Sequence, residues 1–457
     1  MRTVLALACA AVLGAILWSA APVVWGRSPR AAAIYEPNPD HLWNRLHAKI
    51  FVRDDLPDTQ RLPDALDPPL WYHTQYLLSN PSHKQAVRIL DEFLQTHAEN
   101  LTGDPLKRAI LQRDLWAVFD WAVARHPEHV RDPAYEEERR ELRTRLAEVL
   151  RRIALSPEEL AALPDNYAQA VSSGEFGRNY DPAHRERAFL PPDLFEAQGP
   201  WVELEDPGNP EPVAFQHFSD HSARSSFLVF LRLPGGRKAA FDYLQALWSF
   251  PGPWVLSPAD ANHPQVVNPD VPQFPTGTEV ALVRQLTLFD NQGRLVNSPI
   301  TESLQIRVYR EIRKSDHPPA GLDGAIAESG QDFYDIELSR PQLFAGKAGG
   351  LRALQPGEKD FTKFGAFGPD GGRPGQYLTL DNYSPVLKQC VFCHQGAGIH
   401  SLNSRVKLLK PHVLQKDRHS ESLGPHWWQD ARTLSWKQSH DDWAALTAYW
   451  KASGGSH

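Results

Sequence analysis

Apolar residues recur at helical spacing through the first part of the chain. Ser82 opens a run in which Ala86, Val87, Leu90, Phe93 and Leu94 share one face, as in a helix laid on a core. Asp104-Pro105 supplies a cap and a proline at the first helical position, ahead of Ile110, Leu111, Leu115, Val118 and Phe119. A third segment carries Glu136, Glu137 and Glu138 early and Arg151 and Arg152 late, an order that suits the helix dipole. Its stripe is Leu142, Leu146, Leu150 and Ile153. Ser156-Pro157-Glu158-Glu159 is a capping-box start for a shorter helix. Residues 35–195 are therefore predicted to be a mainly helical domain that builds a core and carries no chemistry. Asp165-Asn166-Tyr167 and Arg178-Asn179-Tyr180-Asp181 read as loop structure.

The period changes after residue 195. Phe227–Leu233 is predicted to be a strand, and residues 238–249 a helix with Phe241, Leu244, Leu247 and Trp248 inward. A loop over 258–277 holds five prolines. Glu279–Phe289, Asn291-Gln292-Gly293 and Ser303–Ile312 read as a hairpin or meander. Within it Leu304, Ile306 and Val308 alternate with Gln305 and Arg307, as a half-buried strand requires. Residues 196–345 are expected to form a mixed, β-rich domain. Residues 346–383 read as a Gly-rich linker or loop, with nine glycines among the 32 positions 345–376. The fold class expected is multi-domain α+β: helical first, mixed helix and strand in the middle, small and mostly helical over residues 384–457.

Another apolar run lies at the start. Val4–Trp25 contains no charge and only Ser19 as a polar residue. Residues 1–26 thus read as an export signal or a membrane anchor. Ala20, Ala21 and Gly26 suit a cleavage site, yet the run is also long enough to span a bilayer, and both readings stay open. Cys9 has too little apolar sequence before it to be a lipid-anchor cysteine. In either case the chain is expected to be exported, and periplasmic or membrane-anchored facing outside the cytoplasm.

Composition narrows the picture. A chain of 457 residues, 23% charged and 42% hydrophobic, has room for two or three domains. A wholly disordered chain, a coiled coil and a multi-span membrane protein are excluded. A net charge of -7 argues against general affinity for nucleic acid. With Cys9 in the leader, only Cys390 and Cys393 remain of three cysteines, so a disulfide-dense scaffold is excluded.

Those two cysteines lie in Cys390-Val391-Phe392-Cys393-His394. C-x-x-C-H is the attachment pattern of c-type haem. Two thiols separated by two residues on a helical turn can each add across one haem vinyl group. The next residue then sits under the ring, where an imidazole can bind iron. The cofactor expected is one covalent haem c, with Cys390 and Cys393 as thioethers and His394 as the proximal axial ligand. Weighed against it are a local Cys390–Cys393 disulfide with an incidental histidine, a thioredoxin-like redox pair and a zinc site. The redox pair lacks a βαβ context. Zinc lacks a second cysteine pair, and export argues against stable reduced thiols.

Residues 384–455 resemble a small c-type cytochrome domain. Such domains place C-x-x-C-H at the end of a first helix and close with an amphipathic helix packed across it. Here Asp442–Ala452 offers Trp443, Leu446, Thr447, Tyr449 and Trp450 for that packing. Many single-haem cytochromes use methionine as second axial ligand. The only methionine here is Met1, so His/Met ligation within the mature chain is impossible. A second histidine, a lysine or other weaker ligand, or an open position remains. Candidate histidines are His400, His412, His419, His426 and His440, with His426 placed where these families often put the ligand. The resemblance implies electron transfer with an unidentified redox partner protein. The alternatives are a peroxidase-like haem oxidoreductase with an open sixth position, and a non-haem binding protein.

Three further features carry less. His217 and His221 stand four apart without a third ligand and read as surface residues. The 14 tryptophans are dispersed and read as buried packing. From residue 385 onward nine Lys/Arg face five Asp/Glu, so that end is +4 and the remainder -11 of the total -7. A basic haem-bearing end suits docking on an acidic surface, in this chain or a partner.

Overall fold

The helix announced by Asp104-Pro105 is the axis of the fold. It is α3 (Pro105–Val123), and the Leu106 N–H donates to Asp104 Oδ1 at 2.9 Å as its cap. Every side chain from Ala109 to Ala122 is buried, so α3 is covered on all sides. Its walls are α4 (Pro133–Ile153), the C-terminal helix α12 (Asp441–Ala452) and strand β5 (Thr278–Phe289). Helices α1 (Leu42–Phe51) and α2 (Ser82–Gln95) extend the helical layer beside α4. The computed structural model describes residues 33–51, 77–78, 81–123, 133–204, 212–220, 223–250, 254–256, 265–268, 270–312, 330–354, 359–361, 383–385, 398–402 and 427–452.

The second layer is a six-stranded antiparallel sheet, so the chain is a mixed α and β protein. Its spatial order is β1 (Val202–Glu203), β2 (Ser225–Arg232), β5, β6 (Leu295–Tyr309), β7 (Gln331–Leu338) and β8 (Leu351–Ala353). The two short pairs β3–β4 (Trp254–Leu256, Gln265–Val267) and β9–β10 (Lys359–Phe361, Tyr383–Pro385) stand outside it. The β5–β6 hairpin closes where the sequence predicts. Gly293 (φ 74°) makes the turn, and the Asp290 carboxylate accepts from the Gln292 N–H at 2.9 Å. Strand β6 starts eight residues earlier than expected, at Leu295. Pro299 reads as a break, but it falls where the β5–β6 register shifts, and such an irregularity accommodates a residue that cannot donate to the ladder.

Alternation divides the sheet into two faces. Val283, Leu304, Ile306 and Ile336 point to the helical layer. Val229, Leu231, Val280 and Tyr309 point the other way, where α8 (Gly236–Trp248) covers the β2–β5 half with Ala240, Leu244 and Leu247. The helical side is one continuous cluster of buried side chains from Ile34 to Trp450. It crosses the expected domain boundaries near residues 195 and 384. Helix α12 covers the predicted Asp442–Ala452, and its Trp443, Leu446 and Trp450 are buried against α3 and α4. Trp450 Nε1 donates to the Ala147 carbonyl at 2.8 Å.

Asp165-Asn166-Tyr167 starts a helix rather than a loop. Asp165 caps α6 (Asn166–Ser173) by accepting from the Ala168 N–H at 2.9 Å. Asn166 then ties three elements. Its Nδ2 donates to the carbonyls of Thr301 and Gly349 at 3.0 Å each, and its Oδ1 accepts from the Thr301 N–H at 2.7 Å. Gly349 (φ 58°) is required there, since a Cβ would stand 1.9 Å from the Asn166 carbonyl oxygen. Among the described residues no helix is long and apolar enough to cross a membrane. Val4–Trp25 lies outside those residues.

Candidate functional site

Cys390, Cys393 and His394 lie outside the described residues, as do His412, His419, His426 and His221. The elements that bracket the motif are described. Helix α10 (Ile399–Leu402), which contains His400, starts five residues after His394. It is anchored firmly. The Ile399 N–H donates to Gln273 Oε1 at 2.7 Å, and Ser401 Oγ lies 2.6 Å from the Tyr309 hydroxyl. Helix α11 (Trp427–Gln438) begins one residue after His426 and packs on β2 and β6. His217, in α7 (Phe215–Asp220), stacks loosely on Phe227 at 5.8 Å.

The remaining candidate, His440, stands between α11 and α12. Its Nδ1 lies 2.8 Å from Asp442 Oδ1, and its ring stacks on Trp436 at 4.7 Å. The ring is 31% exposed, whereas Asp442 is fully buried. A carboxylate that fixes Nδ1 leaves Nε2 as the remaining ring donor. This is how ligand histidines are commonly oriented.

Asp442 does more than hold His440. Its Oδ2 accepts from Lys437 Nζ at 2.6 Å and from Trp116 Nε1 at 2.9 Å, with Lys437 also fully buried. Nearby, Asp120 Oδ2 accepts from Arg224 Nε at 3.0 Å. Asp120, His440 and Asp442 bring ligand atoms within 4.8 Å of one another. The donor set does not suit an added divalent ion, because Lys437 and Arg224 already balance both carboxylates. A metal would have to displace the Lys437 ammonium. Burial raises the Asp442 carboxyl, but Lys437 and His440 outweigh burial and hold it at about 2. Removing one partner of such a pair strands the other charge. Asp442→Asn is expected to destabilise the protein by about 3–5 kcal/mol. In denaturant titrations at pH 7, Lys437→Met/Asp442→Asn should lose less than Asp442→Asn alone. Equal losses would show that the two groups are not coupled.

A second group of buried charges lies between α3 and the sheet. Arg284 grips Glu302 with two bonds, Nε to Oε2 at 3.0 Å and Nη2 to Oε1 at 2.8 Å. Arg113 and the Ser225 hydroxyl also donate to Glu302. Arg113 Nη1 continues to Asp114 Oδ1 at 2.8 Å, and Arg340 Nε reaches Asp114 Oδ2 at 3.0 Å. The Tyr35 hydroxyl donates to the same oxygen at 2.9 Å. Burial pushes the Glu302 carboxyl up, but Arg113 and Arg284 outweigh it and hold it well below the usual range. The balance at Asp114 is alike, with burial opposed by Arg340 and Arg113. This chain of five charged groups cross-links α3, β5, β6 and α9 (Arg340–Phe344). Fixed on all sides, it acts as a polar brace rather than as a reaction centre. Sequence reasoning passed over it. The signal was Arg113-Asp114 inside a run of apolar residues.

Compared with family models, curated proteins and solved structures, the chain matches none. Its chemistry must therefore be argued from its own residues.

Proposed function

We propose that the chain is an exported c-type haem protein that transfers electrons through one covalently attached haem. The observation that carries this reading is Cys390-x-x-Cys393-His394, which contains both cysteines that follow Cys9. Cys390 and Cys393 hold the group through thioethers and His394 is its proximal ligand. The group itself supplies reversible one-electron exchange. The surrounding residues orient it and set its potential. A histidine in the sixth position, His440 with its fixed Nδ1 or His426, gives a lower potential than methionine would. The basic C-terminal end suits an acidic redox partner, and residues 1–26 take the chain out of the cytoplasm or hold it at the membrane.

A second reading is a haem-dependent oxidoreductase with an open sixth position. The absence of any methionine after Met1 favours it. Expression of the exported form in cells that mature c-type haem separates the readings. A Soret band that stays with the denatured, solvent-extracted polypeptide is expected. In the native protein a low-spin spectrum fits electron transfer. A high-spin spectrum that shifts with cyanide fits the enzyme. If no haem is bound while a control cytochrome matures in the same cells, the pair is a disulfide and the haem reading fails.

A further inference from the structure

Arg307 stands on the face of β6 that points away from the helical layer, between Ile306 and Val308 on the core side. It is only 8% exposed. Its guanidinium lies 4.9 Å over the ring of Phe333, its cross-strand neighbour on β7. No carboxylate among the described residues forms an ion pair with it. Asp335, the next acid along β7 on that face, accepts from Gln305 Nε2 at 3.2 Å. Asp332, beside Phe333, accepts from Arg185 Nε at 2.9 Å. A guanidinium cannot shed its proton, and a buried one without a counter-ion is costly. The site is therefore suited to an anion, and its planar fork suits a carboxylate.

What lies beside Arg307 identifies the anion. Tyr309 follows two residues later on the same face, and its hydroxyl meets Ser401 in α10. Burial raises the Tyr309 phenol, with Arg307 and Ser401 acting against it. Tyr309 therefore keeps its proton and remains a donor at neutral pH. Gly398, the residue before α10, follows His394 by four positions, so a stretched chain spans at most about 14 Å between them. The tether thus keeps the attachment motif near this face of the sheet.

We propose that Arg307, Tyr309 and Ser401 form a cradle for a propionate carboxylate of the haem attached at Cys390 and Cys393. The proposal rests on the haem reading of that motif and adds the group's place against the sheet. It also couples the potential of the site to a strand more than 80 residues upstream in the chain.

The test compares wild-type holoprotein with Arg307→Gln and Arg307→Lys. Attached haem is verified by intact mass and folding by thermal melting. Midpoint potential is measured from neutral to mildly acidic pH, and the propionate bending band by resonance Raman. In Arg307→Gln the midpoint should fall, because a positive charge that disfavours the oxidised haem is gone. A new pH-dependent step should appear as the freed propionate titrates, and the Raman band should shift. Arg307→Lys should keep the wild-type potential yet shift the band, since a point charge replaces a fork. It decides the matter if Arg307→Gln does not fold. With haem attached and the protein folded, unchanged potential, pH dependence and band overturn the cradle and leave the haem reading standing. A protein-borne carboxylate on Arg307 would give that result. No haem mass on the wild type overturns both.

Discussion

Cys390→Ser/Cys393→Ser should contain no haem that survives denaturation and acid-solvent extraction, whereas the wild type should retain one per chain. Each thioether needs a thiol at a fixed position relative to His394, and only Cys9 lies elsewhere. The single variants should keep one bond each and show a shifted reduced α-band, because one vinyl group stays unsaturated. Pyridine haemochrome spectra and intact mass read both effects. His394→Ala should leave the thioethers attached but alter the native spectrum, since the iron loses its proximal ligand. Haem that survives extraction from the double variant would place the attachment outside the motif.

Asp114→Asn should be among the most damaging single substitutions for stability, with an expected loss of about 3–5 kcal/mol. It leaves Arg340 and Arg113 buried and short of a counter-charge while barely changing volume. The denaturant midpoint at pH 7 reports it, and a change below about 1 kcal/mol would show that the brace does not hold charge this way. The same network predicts a two-stage acid response. Burial, and then Arg340, push His47 down to about 3 from an ordinary 6.5. The imidazole is neutral in the fold and must charge on unfolding, so its contribution is full above pH 6.5 and is lost as pH falls towards 3. Asp114 and Glu302 are depressed carboxylates. Their contribution is full above their unfolded values of 3.8 and 4.5 and is lost as pH falls below them. His47→Gln should flatten the upper stage and leave the lower one.

Elements were legible wherever local chemistry decides. Ser156 and Glu159 form both bonds of the capping box, and Asp104 caps α3. Gly293 turns the hairpin, and Leu304, Ile306 and Val308 face the core as their alternation requires. What stayed hidden depends on partners distant in sequence. Arg113, Asp114 and Asp120 carry no local mark of burial. Their counter-charges come from Glu302, Arg340 and Arg224, more than 100 residues away. Asn166 reads as a turn residue, yet its amide joins α6 to β6 and the Gly349 turn. Start positions slipped where a proline sits at a sheet irregularity, as in β6. The attachment motif was legible because covalent chemistry fixes its spacing. The sixth ligand was not, because several histidines share that stretch of sequence.

The contact between α12 and the α3–α4 pair also orders events in time. The Trp450–Ala147 bond joins residues 303 apart, and the Trp116–Asp442 bond residues 326 apart. Closing loops of this length costs entropy before any packing is gained. Synthesis runs from the N-terminus, so α3 and α4 emerge with Trp116, Phe119 and Leu150 still lacking their last wall. The core cannot seal on a nascent chain until residue 450 has been made. For an exported protein such a delay is an asset, because an unsealed chain is easier to thread across a membrane. Residues 390–394 emerge before the helix that closes the core. Their thiols would then meet a haem-attaching enzyme while the fold is still open.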